Sequence, residues 1–252
     1  MNLYLGIAEL IICFSGIIIM DKLFGKRGLY AWMALAVVFA NIQVSKQIDI
    51  WNGFSTTLGN VVFASTYLTT DILNEKYGDR ASRNAVKISA GALVAYILFA
   101  QITQMYVPNP TDAVDPGMKI MFSMAFRITL ASGAMFLLSN WVDVIIYQKL
   151  KQKTGGRFMW FRNNVSTVLC NCGENFAFTY LAFLGTENMS FAYCTEIALT
   201  ASALEMIIAM CDTPFLYIAR MIPGKSGILM EDDDNYAGSE VRISNTNKEA
   251  VI

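Results

Sequence analysis

Seven stretches of mostly apolar residues, separated by short polar ones, organise the chain: roughly 3–20, 29–50, 54–77, 84–107, 118–148, 163–184 and 196–220. Each is near or above the ~20 residues a helix needs to cross the hydrocarbon of a bilayer. The pattern predicts an all-α integral membrane protein, a bundle of seven transmembrane helices. The polar connections alternate in charge. Lys22, Lys26 and Arg27 follow the first stretch, and Lys76, Arg80, Arg83 and Lys87 surround the turn after the third. Lys149, Lys151, Lys153, Arg157 and Arg162 lie between the fifth and sixth, and Arg220 and Lys225 follow the seventh. The intervening connections carry Asp49, then Asp112 and Asp115, then Glu187. Basic loops stay on the cytoplasmic side, so the N-terminus is expected outside and the C-terminus inside. "PNPTDAVDPG" (108–117) reads as a turn-rich outer loop, and "KTGGRFMWF" (153–161) as a cytoplasmic loop with interfacial aromatics. Beyond Ile222 the sequence becomes polar, acidic and aperiodic, as a disordered cytoplasmic tail over 223–252 does. No basic residue precedes the first stretch and no small-residue cleavage site follows it, so it reads as a retained span.

Composition agrees with the pattern. Of 252 residues 55% are hydrophobic and only 15% charged, against about 25% charged in a soluble domain. A net charge of −1 gives no bulk field for nucleic acid. The chain has no histidine, which excludes histidine metal sites, histidine proton relays and histidine-based triads. Cys13, Cys170, Cys172, Cys194 and Cys211 fall in apolar runs without metal-ligand spacing and read as buried free thiols. No metal and no cofactor is expected.

The polar residues inside the stretches carry the functional signal. Ionisable groups at membrane depth cost at least ~2.5–3.5 kcal/mol on insertion scales and normally face a partner or an interior cavity. In the third stretch Asp71, Asn74, Glu75 and Gly78 share one helical face. The fifth holds Arg127, Ser132, Ser139, Asn140 and Asp143, and the sixth Arg162, Asn163, Ser166, Thr167, Asn171 and Glu174. The fifth and sixth are also alike: each opens with Phe-Arg and reaches Asn-x-x-acid followed by aromatics ("NWVDVIIY", "NCGENFAF"). Two readings stand beside each other. In one the acids find partners locally: Asp71 and Glu75 with Lys76 or Arg80 at a helix end, Asp143 and Glu174 with Arg127 or Arg162, and Glu196, Glu205 and Asp212 as interhelical glue. In the other the total of acids, amides and arginines forms a polar interior site, which accounts for more of them together.

"TTDILNEKYG" (69–78) resembles the T-D-x-[IL]-x-E-x-[YF]-G signature of the queuosine precursor transporter family, also called vitamin uptake transporters. "FRITLASGAMFLLSNWVDVIIYQKLK" and "FRNNVSTVLCNCGENFAF" are similar to two further blocks of that family, and "ANIQVSKQIDI" fits its early helices. Asn140, Asn171 and Glu174 depart from its common Gln-x-x-Asp wording. The resemblance spans about residues 30 to 220. It implies a six-helix core over 29–222, so residues 1–28 read as an added helix with its loop, ahead of the 223–252 tail.

What the resemblance implies is import of 7-deazaguanine bases (7-cyano-7-deazaguanine, 7-aminomethyl-7-deazaguanine or queuine) across the bacterial cytoplasmic membrane by alternating access, with no catalysis. The partners are then a small purine-like molecule and lipid. A guanine-like base presents adjacent N–H donors that a carboxylate accepts bidentately, and acceptors that Asn or Arg can serve. The substrate-binding expectation is Asn41, Asn60, Arg127, Ser139, Asn140, Asp143, Arg162, Asn163, Asn171 and Glu174. Asp143 and Glu174 are the expected edge readers, with Phe126, Tyr147, Phe176 or Phe178 to stack. Thr70, Asp71, Glu75, Tyr77 and Gly78 are expected to organise the cytoplasmic gate. The alternative is a substrate-binding subunit of an energy-coupling-factor importer with a separate ATPase. "ARMIPGKSG" (219–227) is no P-loop, because Ala219 replaces the first glycine and a membrane helix precedes it.

Overall fold

The computed structural model describes residues 2–44, 46–51, 54–123, 125–155, 157–184 and 190–222, with the backbone alone at 47, 49–51, 54–57, 123, 125–129 and 183. The expected tail and Lys225 lie outside the described residues.

The first apolar stretch forms α1 (Asn2–Phe24). Its buried residues Cys13, Phe14, Ile17 and Asp21 recur on one helical face, while Tyr4, Leu5, Ile12, Ile19 and Leu23 are exposed. An apolar outer face of this kind suits hydrocarbon, where a helix satisfies its own backbone hydrogen bonds. Gly25, at φ 59°, reverses the chain into α2 (Lys26–Gln43). The two helices touch closely at Gly28, where a Cβ would stand 2.3 Å from the Met20 carbonyl oxygen.

An antiparallel ribbon follows, β1 (Gln47–Trp51) with β2 (Phe54–Thr57), paired Gln47 to Thr57 and Asp49 to Ser55 with a bulge before Trp51. Apart from this short ribbon, the regular elements of the described residues are all helices, as the apolar stretches predict. The second stretch ends as a helix at Gln43, and the third becomes one only at Asn60. Ile48 and Ile50 alternating with polar residues, then Asn52-Gly53, form a hairpin pattern inside what reads as apolar sequence.

α3 (Asn60–Tyr77) is the centre of the bundle and packs against α1, α2, α4 (Asp79–Met105) and the later helices over Ala125–Lys153 and Phe191–Met221. Every residue from Ala64 to Asn74 is buried, polar ones included. Gly78, at φ 84°, ends it in a conformation that favours glycine. The fifth expected stretch divides into a short α5 (Asp115–Ser123) and a long α6 (Ala125–Lys153). α7 (Met159–Phe183) runs back along α6, and α8 (Phe191–Met221), with Pro214 inside it, packs on α7 and α3.

Among the described residues four helices are long and apolar enough to cross a membrane by themselves: α1, α4, α6 from Leu130, and α8. α2 and α3 have 18 residues each, the lower end of what spans a bilayer, and α7 is long but polar. Of these three, α3 is buried all round from Ala64 to Asn74, whereas α2 and α7 bury one face and expose Leu35, Phe39, Leu169 and Leu181. The cysteines are free; Cys13, Cys170 and Cys194 are buried as expected, whereas Cys211 is exposed on α8.

Candidate functional site

α3, α6 and α7 place polar side chains in successive levels along the bundle. The spacing follows from helix geometry, since four residues rise about 6 Å and return to the same face. Phe63, Tyr67, Asp71 and Glu75 are four apart on α3, and each belongs to one level.

Nearest the ribbon, Phe63 and Phe136 meet edge to face with ring centroids 4.8 Å apart. One turn deeper, the Tyr67 hydroxyl bonds to both Ser139 Oγ, at 2.5 Å, and the Glu174 carboxylate. Asn140 is fully buried beside Ser139, and its Oδ1 has no hydrogen-bond partner among the described residues. Glu205 of α8 accepts from Asn175 Nδ2 at 2.7 Å just above this level.

The next level holds Asp71 and Asp143, 1% and 0% exposed. No hydrogen bond reaches any of their four carboxylate oxygens among the described residues, although Ser166 stands beside Asp143. Both amide atoms of Asn171 are buried and unpartnered too. Asp212 faces Asp71 and Asp143 from α8 and accepts from Asn163 Nδ2 at 2.6 Å. Because α6 and α7 are antiparallel and Tyr67 ties Ser139 to Glu174, each Asn-x-x-acid motif puts its acid at the depth of the other's asparagine. Asp143 and Glu174 therefore stand one turn apart, about 6 Å along the bundle.

At the basic end Glu75 closes the interior. Its Oε2 accepts from Arg162 at 2.7 Å and lies 3.3 Å from Lys151, while Oε1 is 4.0 Å from Arg220. The Tyr147 hydroxyl donates to the same carboxylate at 3.3 Å, and its ring lies 5.4 Å from the Arg162 guanidinium. Arg162 is completely buried and also donates to the Arg157 carbonyl at 2.8 Å. A carboxylate, a carbonyl and an aromatic face hold the buried guanidinium, while its Nε has no hydrogen-bond partner among the described residues.

The expected residues thus divide. Ser139, Asn140, Asp143, Asn171 and Glu174 converge on the interior between the two ends. Arg162 joins Glu75 at the basic end, and Asn163 is engaged with Asp212. Asn41 is buried in α2, donating to the Val37 carbonyl at 2.8 Å, and lies towards the ribbon end. Asn60 lines a small cavity there. The side chains of Arg127 and Phe126 lie outside the described residues. Of the gate residues, Glu75 forms the ionic closure and Asp71 faces the interior. Glu75 does not pair with Lys76 or Arg80 as the local reading had it: Lys76 and the Tyr77 hydroxyl both reach Asp21 on α1. Thr70 bonds the Tyr67 carbonyl at 2.8 Å, and its own carbonyl accepts from Ser82 at 2.6 Å, fixing α3 to α4.

Sequence reasoning missed Tyr67, Lys151, Arg220 and the Asn175–Glu205 pair as members of these levels. For Tyr67 a signal existed, its position four residues before Asp71. Two cavities bear on the site. One of about 50 Å³ near the ribbon is lined by Phe63, Glu174, Asn175, Phe178 and Glu205 among others. It holds a water or two, whereas small-molecule sites occupy about 300–1,000 Å³. A cavity of about 630 Å³ lies between α1 and α2, lined by Leu5, Ile12, Trp32 and Phe39, away from the polar levels.

Residues 57–219 match the model of a protein family described as "Putative vitamin uptake transporter". The chain is 31% identical over 84% of its length to a Bacillus subtilis (strain 168) protein named "Probable queuosine precursor transporter", covering 93% of it. It is 26% identical over 70% of its length to the "Queuosine precursor transporter" of Escherichia coli (strain K12), covering 77% of that protein. No solved structure matches.

Proposed function

Since the chain belongs to the vitamin uptake transporter family, a family of multi-pass membrane proteins, we propose that it imports queuosine precursors, the 7-deazaguanine bases, by alternating access. The observation that carries this reading is the interior between the Phe63–Phe136 pair and the Glu75–Arg162 pair, with its unpartnered oxygens on Asp71, Asp143 and Asn140 and its unpartnered Asn171 amide. Buried polar groups without partners cost about 1–3 kcal/mol each, and a ligand offering several donors and acceptors offsets that cost.

In this proposal Asp143 accepts the paired N–H donors of the base edge, and Asn171, at the same depth, supplies the amide that serves ring acceptors. Glu174 and Asn140, one turn further out, meet the opposite end of the bicyclic ring. That the interior is shut at both ends supports reading this arrangement as an occluded one. With the basic end cytoplasmic and seven helices spanning the membrane, Phe63 and Phe136 form the outer closure. Glu75, Arg162, Lys151 and Tyr147 form the inner one. The added α1 and the tail after Ile222 flank a core of six spanning helices.

Cells that cannot make the base, given labelled 7-deazaguanine bases, test the assignment. Asp143→Asn and Glu174→Gln are each expected to abolish uptake while the protein still inserts in the membrane. Undiminished uptake by both variants overturns the site.

A further inference from the structure

We infer that the cavity between α1 and α2 is a site for one membrane phospholipid. Its acyl chain lies between the two helices, and its head group carries a primary ammonium beside the phosphate.

The two helices are tied at both ends of this cavity and parted between the ties. Towards the middle of α1, a Cβ on Gly16 would stand 2.6 Å from the Trp32 ring, so the indole presses on α1 where only glycine leaves room. The same ring is fixed from behind, its Nε1 donating to Ser65 Oγ at 3.2 Å. At the ribbon end, Gln43 Nε2 donates to Glu9 Oε1 at 2.7 Å. Between these ties lies a space of about 630 Å³, walled by Ile12, Leu35, Ala36 and Phe39. Small-molecule sites occupy about 300–1,000 Å³. Ile12, Leu35 and Phe39 are exposed, so the space opens sideways on an apolar face that a spanning helix turns to hydrocarbon. From Trp32 to Gln43 α2 rises about 16 Å, close to half of a ~30 Å hydrocarbon layer. The groove therefore has the walls and the length of one acyl chain of a single leaflet.

The polar end selects the head group. Glu9, Gln43 and Lys46 all line this cavity. Among the described residues neither Glu9 nor Lys46 makes an ion pair. Gln43 Oε1 is buried without a hydrogen-bond partner, and hydrocarbon offers it no water in exchange. An unserved amide oxygen beside an unpaired carboxylate suits N–H donors, and an unpaired ammonium suits an anion. A phosphate esterified to ethanolamine carries both on adjacent groups. Its primary ammonium has three donors for Glu9 and Gln43, and its phosphate accepts from Lys46. Lys46 is exposed just beyond the end of α2, and its long stem lets the charge reach the interface. A choline head group has no N–H to give. A glycerol head group sets a negative charge beside Glu9 with no cation to offset it.

The full chain, stripped of lipid in detergent, is incubated with equal amounts of phosphatidylethanolamine, phosphatidylcholine and phosphatidylglycerol of identical acyl chains and weighed by native mass spectrometry. Wild type is expected to hold one lipid, with phosphatidylethanolamine retained roughly tenfold or more over each of the others, as one hydrogen bond to a charged group supplies. Glu9→Gln is expected to lower the ratio of phosphatidylethanolamine to phosphatidylcholine by a similar factor. Lys46→Gln lowers retention of both and leaves that ratio at the wild-type value. Ala8→Trp, which brings a ring into the cavity from an exposed position on α1, is expected to keep out all three lipids at an unchanged melting temperature. Wild type without lipid, equal retention of the three, an unchanged ratio in Glu9→Gln, or full retention in Ala8→Trp overturns the site. A dimer mass free of lipid also overturns it, and gives the groove to a second copy of the chain.

Discussion

Replacing Glu75 by Gln removes one charge from the proposed inner closure and nearly nothing else. Arg162, completely buried, keeps the Arg157 carbonyl and the Tyr147 ring but loses its only carboxylate among the described residues. Breaking a buried pair by removing one partner costs about 3–5 kcal/mol; with glutamine still able to accept one hydrogen bond, about 3 kcal/mol is the expected penalty on the closed arrangement. At 1.36 kcal/mol per decade, this raises the population open to the cytoplasm by about two orders of magnitude. Lys151 gives the contrast. Its ammonium is 3.3 Å from Glu75 and its side chain is 27% exposed, so water screens this longer contact more than the fully buried Arg162 pair, and Lys151→Met shifts the population less than Glu75→Gln does. Cys170 is a native reporter, buried in α7 beside Asp143 and Glu174. In a background with Cys172 and Cys211 replaced by Ser, a membrane-impermeant maleimide applied to inside-out vesicles measures its accessibility. Glu75→Gln is expected to speed Cys170 labelling about a hundredfold, with fully buried Cys194 of α8 unchanged as a control for general loosening. Labelling of Cys170 at the wild-type rate, or equal acceleration in Lys151→Met, refutes the ionic closure.

Tyr67→Phe removes the hydroxyl shared by Ser139 and Glu174. The unpartnered groups cost about 1–3 kcal/mol, and base uptake is expected to show a raised KM of roughly tenfold with the protein still folded. Asp21→Asn strands Lys76, whose side chain is 7% exposed; a penalty of about 3 kcal/mol is expected as a lowered melting temperature in detergent, which Lys76→Met in the same chain restores. Gly28→Ala drives a methyl group into the Met20 carbonyl and the Phe24 side chain, an overpacking of about 1–3 kcal/mol that the same melting assay reads as separation of α1 from α2.

The helical framework was largely legible because long apolar runs have few alternatives in a bilayer. Where the sequence misled, a local pattern competed with bulk hydropathy. Residues 44 to 59 read as the ends of two spans, yet Gln47–Trp51 and Phe54–Thr57 pair as an antiparallel ribbon. Asp143, Glu174, Asn140 and Asn171 could be singled out because polar groups at depth are costly. Their partition into two levels could not, because it depends on α6 and α7 being antiparallel and on the tie from Tyr67 to Ser139 and Glu174. The same holds for Glu75. Lys76 and Arg80 are its neighbours in sequence, but helix geometry turns Lys76 towards Asp21 and Glu75 towards Arg162, 87 positions away. Glu205, read as interhelical glue, does join α8 to α7 through Asn175, and it also lines the small cavity near the ribbon.

Uptake of labelled 7-deazaguanine base by the purified chain alone, reconstituted in liposomes, decides whether this chain is itself the importer. Saturable entry is expected with wild type in the absence of any ATPase partner, and none with liposomes carrying Asp143→Asn at equal protein density. Entry only when a separate ATPase is supplied, or equal entry in wild-type and Asp143→Asn liposomes, contradicts it.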